Sequence, residues 1–287
     1  MKNIAIPTNN TGNEVQSRGQ NAAYCKHVAA AGFNPVLVPM EADPQAIVEF
    51  ADGLLLAGGI DIDPLYYGMS NACSMNVDPE KDDFERRLFH KFREYNRPVF
   101  GICRGFQLIF REFLNCHPHN EQYNKYFDYL ENVERHNQTT GLSVARRFAS
   151  HLVRANVSSL FGVSDKKPLM AVPVNSMHHQ AVAFRFLKAA KDLYPAAYAR
   201  PEFDKDEPSI LTLGEVELQA WTLRGVNHPT KGKKEDIAYV IVEAARIKNW
   251  GGPIMGVQWH PEELGDIRIL RGFFGDKKQE EVVVGKV

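Results

Sequence analysis

Apolar residues in the first hundred positions come in short unbroken runs instead of alternating with polar ones. Residues 4–6 (IAI) run into Pro7, 36–38 (VLV) into Pro39, 53–57 (GLLLA) into Gly58-Gly59, and 97–102 (RPVFGI) into Cys103. Runs apolar on both faces are the pattern of parallel strands buried beneath helices on each side. Between them the period changes. Residues 20–31 (QNAAYCKHVAAA) are rich in helix formers and stop at Gly32, a residue suited to the position just past a helix end. Residues 82–95 (DDFERRLFHKFREY) put Phe84, Leu88, Phe89 and Phe92 on one helical stripe, with acids in the first turn where the helix dipole favours them. A third helical pattern, 105–114, follows Cys103 directly.

Strands alternating with helices predict an α/β protein, a three-layer α/β/α sandwich with a mostly parallel central sheet. Ligands in such sheets bind at the carboxyl ends of the strands. The glycine pair and Cys103 both fall on that edge. Residues 116–150 lack clean periodicity and read as a lid-like excursion over the surface. Strand-like runs resume at 169–174, 210–213, 218–223, 237–242 and 254–257, and the alternation of VELQAWTLRG (216–225) predicts an additional antiparallel, half-exposed region. The whole is expected to be a single domain, 1–287, carrying the insertion at about 116–150 and a C-terminal tail from about 275.

Composition narrows the classes. The 34 Lys+Arg and 35 Asp+Glu leave a net charge of −1, which provides no electrostatic footprint for nucleic acid. No apolar run approaches the roughly 18 residues of a membrane span, and MKNIAIPTNN turns polar too early for a signal peptide, so a cytoplasmic protein without membrane contact is expected. Cys25, Cys73, Cys103 and Cys116 show no CxxC spacing, which suits a reducing compartment.

The chemistry concentrates in three places. Gly101-Ile102-Cys103-Arg104-Gly105 lies between a strand and a helix and has the small residues that a nucleophile elbow demands two positions before and after the nucleophile. A helix N-terminus behind the thiol favours the thiolate, although a buried structural cysteine between glycines would look the same in isolation. Gly256-Val257-Gln258-Trp259-His260-Pro261-Glu262 offers a base, His260, with a carboxylate two residues on to orient it. Gly58-Gly59 ends a neighbouring strand, where backbone N–H groups can turn toward a developing oxyanion together with the N–H of Arg104. The pair is too short for a dinucleotide fingerprint.

In this order the three pieces resemble the class I glutamine amidotransferase superfamily, whose central sheet is flavodoxin-like. LLLAGGIDIDPLYYG (54–68), RPVFGICRGFQLI (97–109), VNSMHHQAV (174–182) and GVQWHPE narrow the likeness to the peptidase C26 branch, which includes γ-glutamyl-γ-aminobutyrate hydrolases and γ-glutamyl hydrolases. The resemblance implies a Cys103–His260–Glu262 triad and an oxyanion hole from the backbone of Gly59 and Arg104. It also implies glutamyl contacts from Gly58, Gln107, Asn175, Ser176, His178 and His179; for the two histidines, packing beside the site is an equal alternative. The reaction implied is hydrolysis of a γ-glutamyl amide through a glutamyl thioester. The alternative is a glutaminase that passes ammonia to a synthetase or ligase partner. No cofactor is implied, and neither the histidine pair nor CHPH (116–119) has the ligand count of a closed metal site, so no metal is expected. A homodimer stays open. Two departures stand out: IFREFLNCHPHNEQ (109–122) has no Gly-Gly-Thr loop after the elbow helix, and Tyr239-Val240-Ile241-Val242-Glu243 replaces the usual DGxxE approach to the last strand. The segment that shapes the leaving-group side is therefore its own.

Overall fold

The computed structural model describes residues 1–10, 18–67, 74–119, 121, 127–130, 136–141, 144–161, 169–186, 211–213, 215–223 and 238–275. The predicted tail beyond 275, Cys73 and parts of the predicted lid lie outside these residues. Its strands are β1 (Asn3–Pro7), β2 (Asn9–Asn10), β3 (Arg18–Gly19), β4 (Asn34–Val38), β5 (Gly53–Leu56), β6 (Val99–Ile102) and β7 (Phe127–Leu130) in the first half. The second half adds β8 (His151–Asn156), β9 (Leu169–Val174), β10 (Ala181–Phe186), β11 (Leu211–Leu213), β12 (Val216–Leu223), β13 (Ala238–Ile247) and β14 (Ile254–Val257). The principal helices are α1 (Ala22–Ala30), α2 (Pro44–Phe50), α3 (Pro79–Glu94) and α4 (Arg104–Cys116).

The first three helices each start where a side chain can satisfy a free N–H group of the first turn. Asn21, Asp43 and Asp78 accept from Ala23, Gln45 and Lys81, and Pro44 and Pro79 occupy first-turn positions whose missing N–H costs nothing. The main sheet runs β4-β1-β5-β6-β14-β13-β12-β8-β9. Its first five strands are parallel, and from β13 onward the pairing is antiparallel. Along β5, Leu54 and Leu56 pack into one core with Phe84, Phe89 and Phe106 of α3 and α4, while Leu55 packs into the other with Tyr24 and Val28 of α1 and Phe274. A strand buried on both faces between two helical layers explains the unbroken apolar runs.

Two expectations need correcting. The segment 116–150 is not only a surface excursion: β7 pairs with β10, and Phe127 is buried, its ring 4.9 Å from Phe110 and 5.3 Å from Phe184. One aromatic anchor outweighs the polar residues around it. Nor is β12 half exposed, because residues 216–220 are all buried; its polar members Glu217 and Gln219 sit under cover, and Glu217 reaches Lys248 at 2.7 Å. No helix among the described residues is long and apolar enough to cross a membrane.

Candidate active site

Cys103 joins β6 to α4 with φ +51° and ψ −107°, a backbone state that costs a side-chain-bearing residue on the order of 1–3 kcal/mol. Its N–H donates to Val257 at 2.8 Å and its carbonyl accepts from Gln107 at 3.0 Å, so β14 on one side and α4 on the other hold the turn. The flanking glycines are required by space. A Cβ on Gly105 would lie 2.1 Å from the Leu56 carbonyl oxygen, and one on Gly101 would lie 2.6 Å from the backbone of Gly105 and Phe106. The N–H of Arg104, in the first turn of α4, has no acceptor within its helix and is free to face a ligand.

Because Val257 lies beside Ile102 in the parallel β6/β14 pair, the chain just beyond β14 delivers His260 to the thiol. Glu262 Oε1 lies 2.7 Å from His260 Nδ1, which leaves Nε2 as the ring nitrogen for Cys103. Burial would lower the pKa of His260, yet the charges of Glu262 and the Cys103 thiolate, with hydrogen bonds to both, hold it raised to about 10. Asn175 fixes the histidine from behind: its Oδ1 accepts from the His260 N–H at 2.9 Å and its Nδ2 donates to the His260 carbonyl at 3.0 Å.

Tyr24 of α1 links this group to the glycine turn. Its hydroxyl accepts from the Gly58 N–H at 3.0 Å and lies 3.5 Å from His260 Nδ1. Burial, reinforced by the charges of Glu262 and Cys103, pushes its pKa well above the ordinary value, so the phenol stays protonated. Beneath Gly59, the Arg104 guanidinium pairs with Asp82 and Glu85, and Lys81 pairs with Glu85, all four side chains being almost wholly buried. Two cations against two anions make the cluster neutral. Asp82 also accepts from the Asp63 N–H at 2.8 Å, which ties the loop after β5 to α3.

The thiol opens onto a cavity of about 160 Å³ whose lining includes Gly59, Asp61, Arg104, Gln107, His179 and Gln180. Cys103, Gly59, Arg104, Gln107, His178 and His179 therefore meet at one place, as their motifs suggest, with His260 and Glu262 directly behind. Gly58, Asn175 and Ser176 do not line it. Gly58 spends its N–H on Tyr24, Asn175 clamps His260, and Ser176 donates from its hydroxyl to the His136 carbonyl. Asp61, 3.0 Å from His179, and Tyr24 escaped the sequence reading. Asp61 stands two residues past the glycine pair and was legible there, whereas Tyr24 looks like any apolar helix position.

Comparison with known proteins gives this arrangement a context. A glutamine amidotransferase-like protein of Rickettsia prowazekii is 26% identical over 274 residues, covering 85% of this chain and 82% of its own. Protein NtpR of Enterococcus hirae is 29% identical over 174 residues, 60% of this chain and 67% of its own. Among solved structures, a GMP synthase subunit from Thermoplasma acidophilum superposes with a TM-score of 0.49 at 16% identity, covering 96% of this chain and 93% of that one. The peptidase C26 profile matches residues 3–203, a span that takes in the glycine turn, the cysteine elbow and the Asn175–His179 stretch. With that match over most of its length, the chain belongs to the peptidase C26 family of the class I glutamine amidotransferase-like superfamily, enzymes of the hydrolase and amidotransferase type that act on amide bonds.

Proposed function

We propose that this protein is a cysteine-dependent hydrolase of γ-glutamyl amide bonds, with Cys103 as nucleophile, His260 as acid and base, and Glu262 as the group that orients it. The observation that carries the reading is the strained Cys103 at the mouth of a small polar cavity, whose charge together with that of Glu262 raises the pKa of His260. The thiolate attacks the γ-carbonyl carbon, and the oxyanion forms against the N–H groups of Gly59 and Arg104. Collapse breaks the C–N bond; His260 donates its proton to the leaving amine, and a glutamyl thioester remains. Water then gives a proton to His260 and its oxygen to the acyl carbon, releasing glutamate and restoring the thiolate.

A cavity of about 160 Å³ falls below the ~300–1,000 Å³ of pockets that hold whole drug-sized ligands, and so suits one amino-acid moiety with the amine half outside. Asp61 and His179 offer one anion and one imidazole to the α-ammonium and α-carboxylate of a glutamyl group. Under this reading residues 1–287 form one domain, with a lid-like insertion at about 116–150 and a C-terminal tail from about 275.

The name of the Rickettsia relative favours a second reading, a glutaminase that supplies ammonia to a synthetase or ligase partner. One assay separates the two. The purified chain is incubated alone with glutamine and with a panel of γ-glutamyl amines and dipeptides, and released glutamate is followed, with Cys103→Ala as control. Release from a γ-glutamyl amine, absent in the control, is the expected result. Release from glutamine only would favour the second reading, and equal release by Cys103→Ala would remove Cys103 from the chemistry.

A further inference from the structure

Three segments far apart in sequence meet beside the cavity wall at a second cluster that the amide chemistry does not use. His136 precedes the short helix Gln138–Gly141, His151 opens β8, and Glu243 lies midway along β13. Glu243 is completely buried. Its Oε1 lies 3.1 Å from His151 Nε2 and 3.7 Å from His136 Nε2, and it accepts from the Thr222 hydroxyl at 2.9 Å. Its Oε2 has no hydrogen-bond partner among the described residues. A buried carboxylate with one oxygen left over is costly unless something else meets it.

The spacing indicates what does. One ligand atom from each of the three residues lies within 4.8 Å of the others. A tetrahedral Zn²⁺ with bonds of about 2.0–2.1 Å holds its ligand atoms about 3.3 Å apart, a value bracketed by the two contacts to Oε1 at 3.1 and 3.7 Å. Histidine ligands of zinc are normally braced through their other ring nitrogen. Here Ser150 Oγ sits 3.2 Å from His151 Nδ1. The ring of His178 packs on His136 with centroids 5.2 Å apart. Its Nδ1 lies 2.9 Å from the Gln180 carbonyl, which can only accept, so the proton is on Nδ1 and Nε2 is a bare lone pair with no partner among the described residues in a buried ring. A polar ligand beside the cluster is what that nitrogen lacks.

We propose that His136, His151 and Glu243 form a Zn²⁺ site with water in the fourth position, the water donating to His178 Nε2. The sequence expectation of no metal rested on the Cys116–His119 stretch and the adjacent histidine pair, neither of which supplies these ligands. On binding, His151 takes the tautomer with its proton on Nδ1, facing Ser150 Oγ, and its Nε2 lone pair goes to the metal, which sits between that nitrogen and the carboxylate. The site joins β8, β13 and the segment before Gln138 to the His178 loop, so its role is to stiffen one wall of the cavity; no step of the amide reaction passes through it.

The test uses the full chain carrying Cys103→Ala, which removes the competing thiolate ligand. After stripping with a chelator, it is titrated with Zn²⁺ against a chromophoric competitor, and its melting temperature is recorded with and without the ion. One ion per chain, a higher melting temperature with Zn²⁺, and at least about tenfold weaker binding in each of Glu243→Gln, His151→Asn and His136→Asn are expected. Should Glu243→Gln not fold, the two histidine variants decide. Less than a tenth of an ion per chain, or affinity unchanged in the histidine variants, overturns the site.

Discussion

The Tyr24 hydroxyl touches both the Gly58 N–H and the imidazole of His260, so one atom keeps the turn after β5 in register with Cys103 and His260. Tyr24→Phe keeps the ring and leaves the Gly58 N–H buried without an acceptor. We expect a stability loss of about 1–3 kcal/mol by urea denaturation, with kcat falling more than KM rises. The proton on His260 can also be followed. Its pKa, raised from 6.5 to about 10, means that its contribution to stability is complete below pH 6.5 and fades as the pH climbs toward 10. In Cys103→Ala the thiolate charge and its hydrogen bond are gone, so the imidazole should titrate at a lower pH in a two-dimensional NMR experiment. An unchanged midpoint would show that the cysteine does not help to hold that proton.

At the scale of elements, the buried cluster of Lys81, Asp82, Glu85 and Arg104 locks α3 to the start of α4 and to the loop after β5. Glu85→Gln leaves Lys81 and Arg104 competing for Asp82, and breaking a buried network of this kind costs about 3–5 kcal/mol. Thermal unfolding should move to markedly lower temperature; a change of a degree or less would mean that water already screens these charges. The cluster also marks where sequence reading stops. Leu54, Phe84 and Cys103 announce their elements because period and turn residues are local signals. The pairing of Arg104 with an acid on the preceding helix is not local, and neither is the burial of Phe127 that turns a polar stretch into β7. Residues 44–50 escaped notice although Asp43-Pro44 is a good helix start, because a helix of seven residues has too few turns to establish a period.

Across the described residues, a parallel half carries the cysteine, the histidine and one wall of the cavity, and the antiparallel half supplies the opposite wall. His178 belongs to that wall, and burial lowers its pKa to about 3 despite the nearby charge of Glu243. The unfolded chain binds a proton there near pH 6.5 and the folded one refuses it down to about 3, so stability should fall as the pH drops between those values. In His178→Asn the dependence of urea midpoint on pH over that interval should be shallower; an identical slope would assign the effect to other groups.

The place of β14 bears on how the protein comes into being. This strand slots between β6, about 150 residues earlier in sequence, and β13 just before it, and the imidazole bonded to Cys103 arrives just after it. Synthesis from the N-terminus makes the thiol of Cys103 well over a hundred residues before the imidazole of His260. Until then β6 lacks its β14 neighbour and Cys103 lacks the imidazole that lies beside it. Contacts so distant along the chain form slowly. Pairing of β14 with β6 and the meeting of Cys103 with His260 thus come together as one event that follows the local elements of the first half.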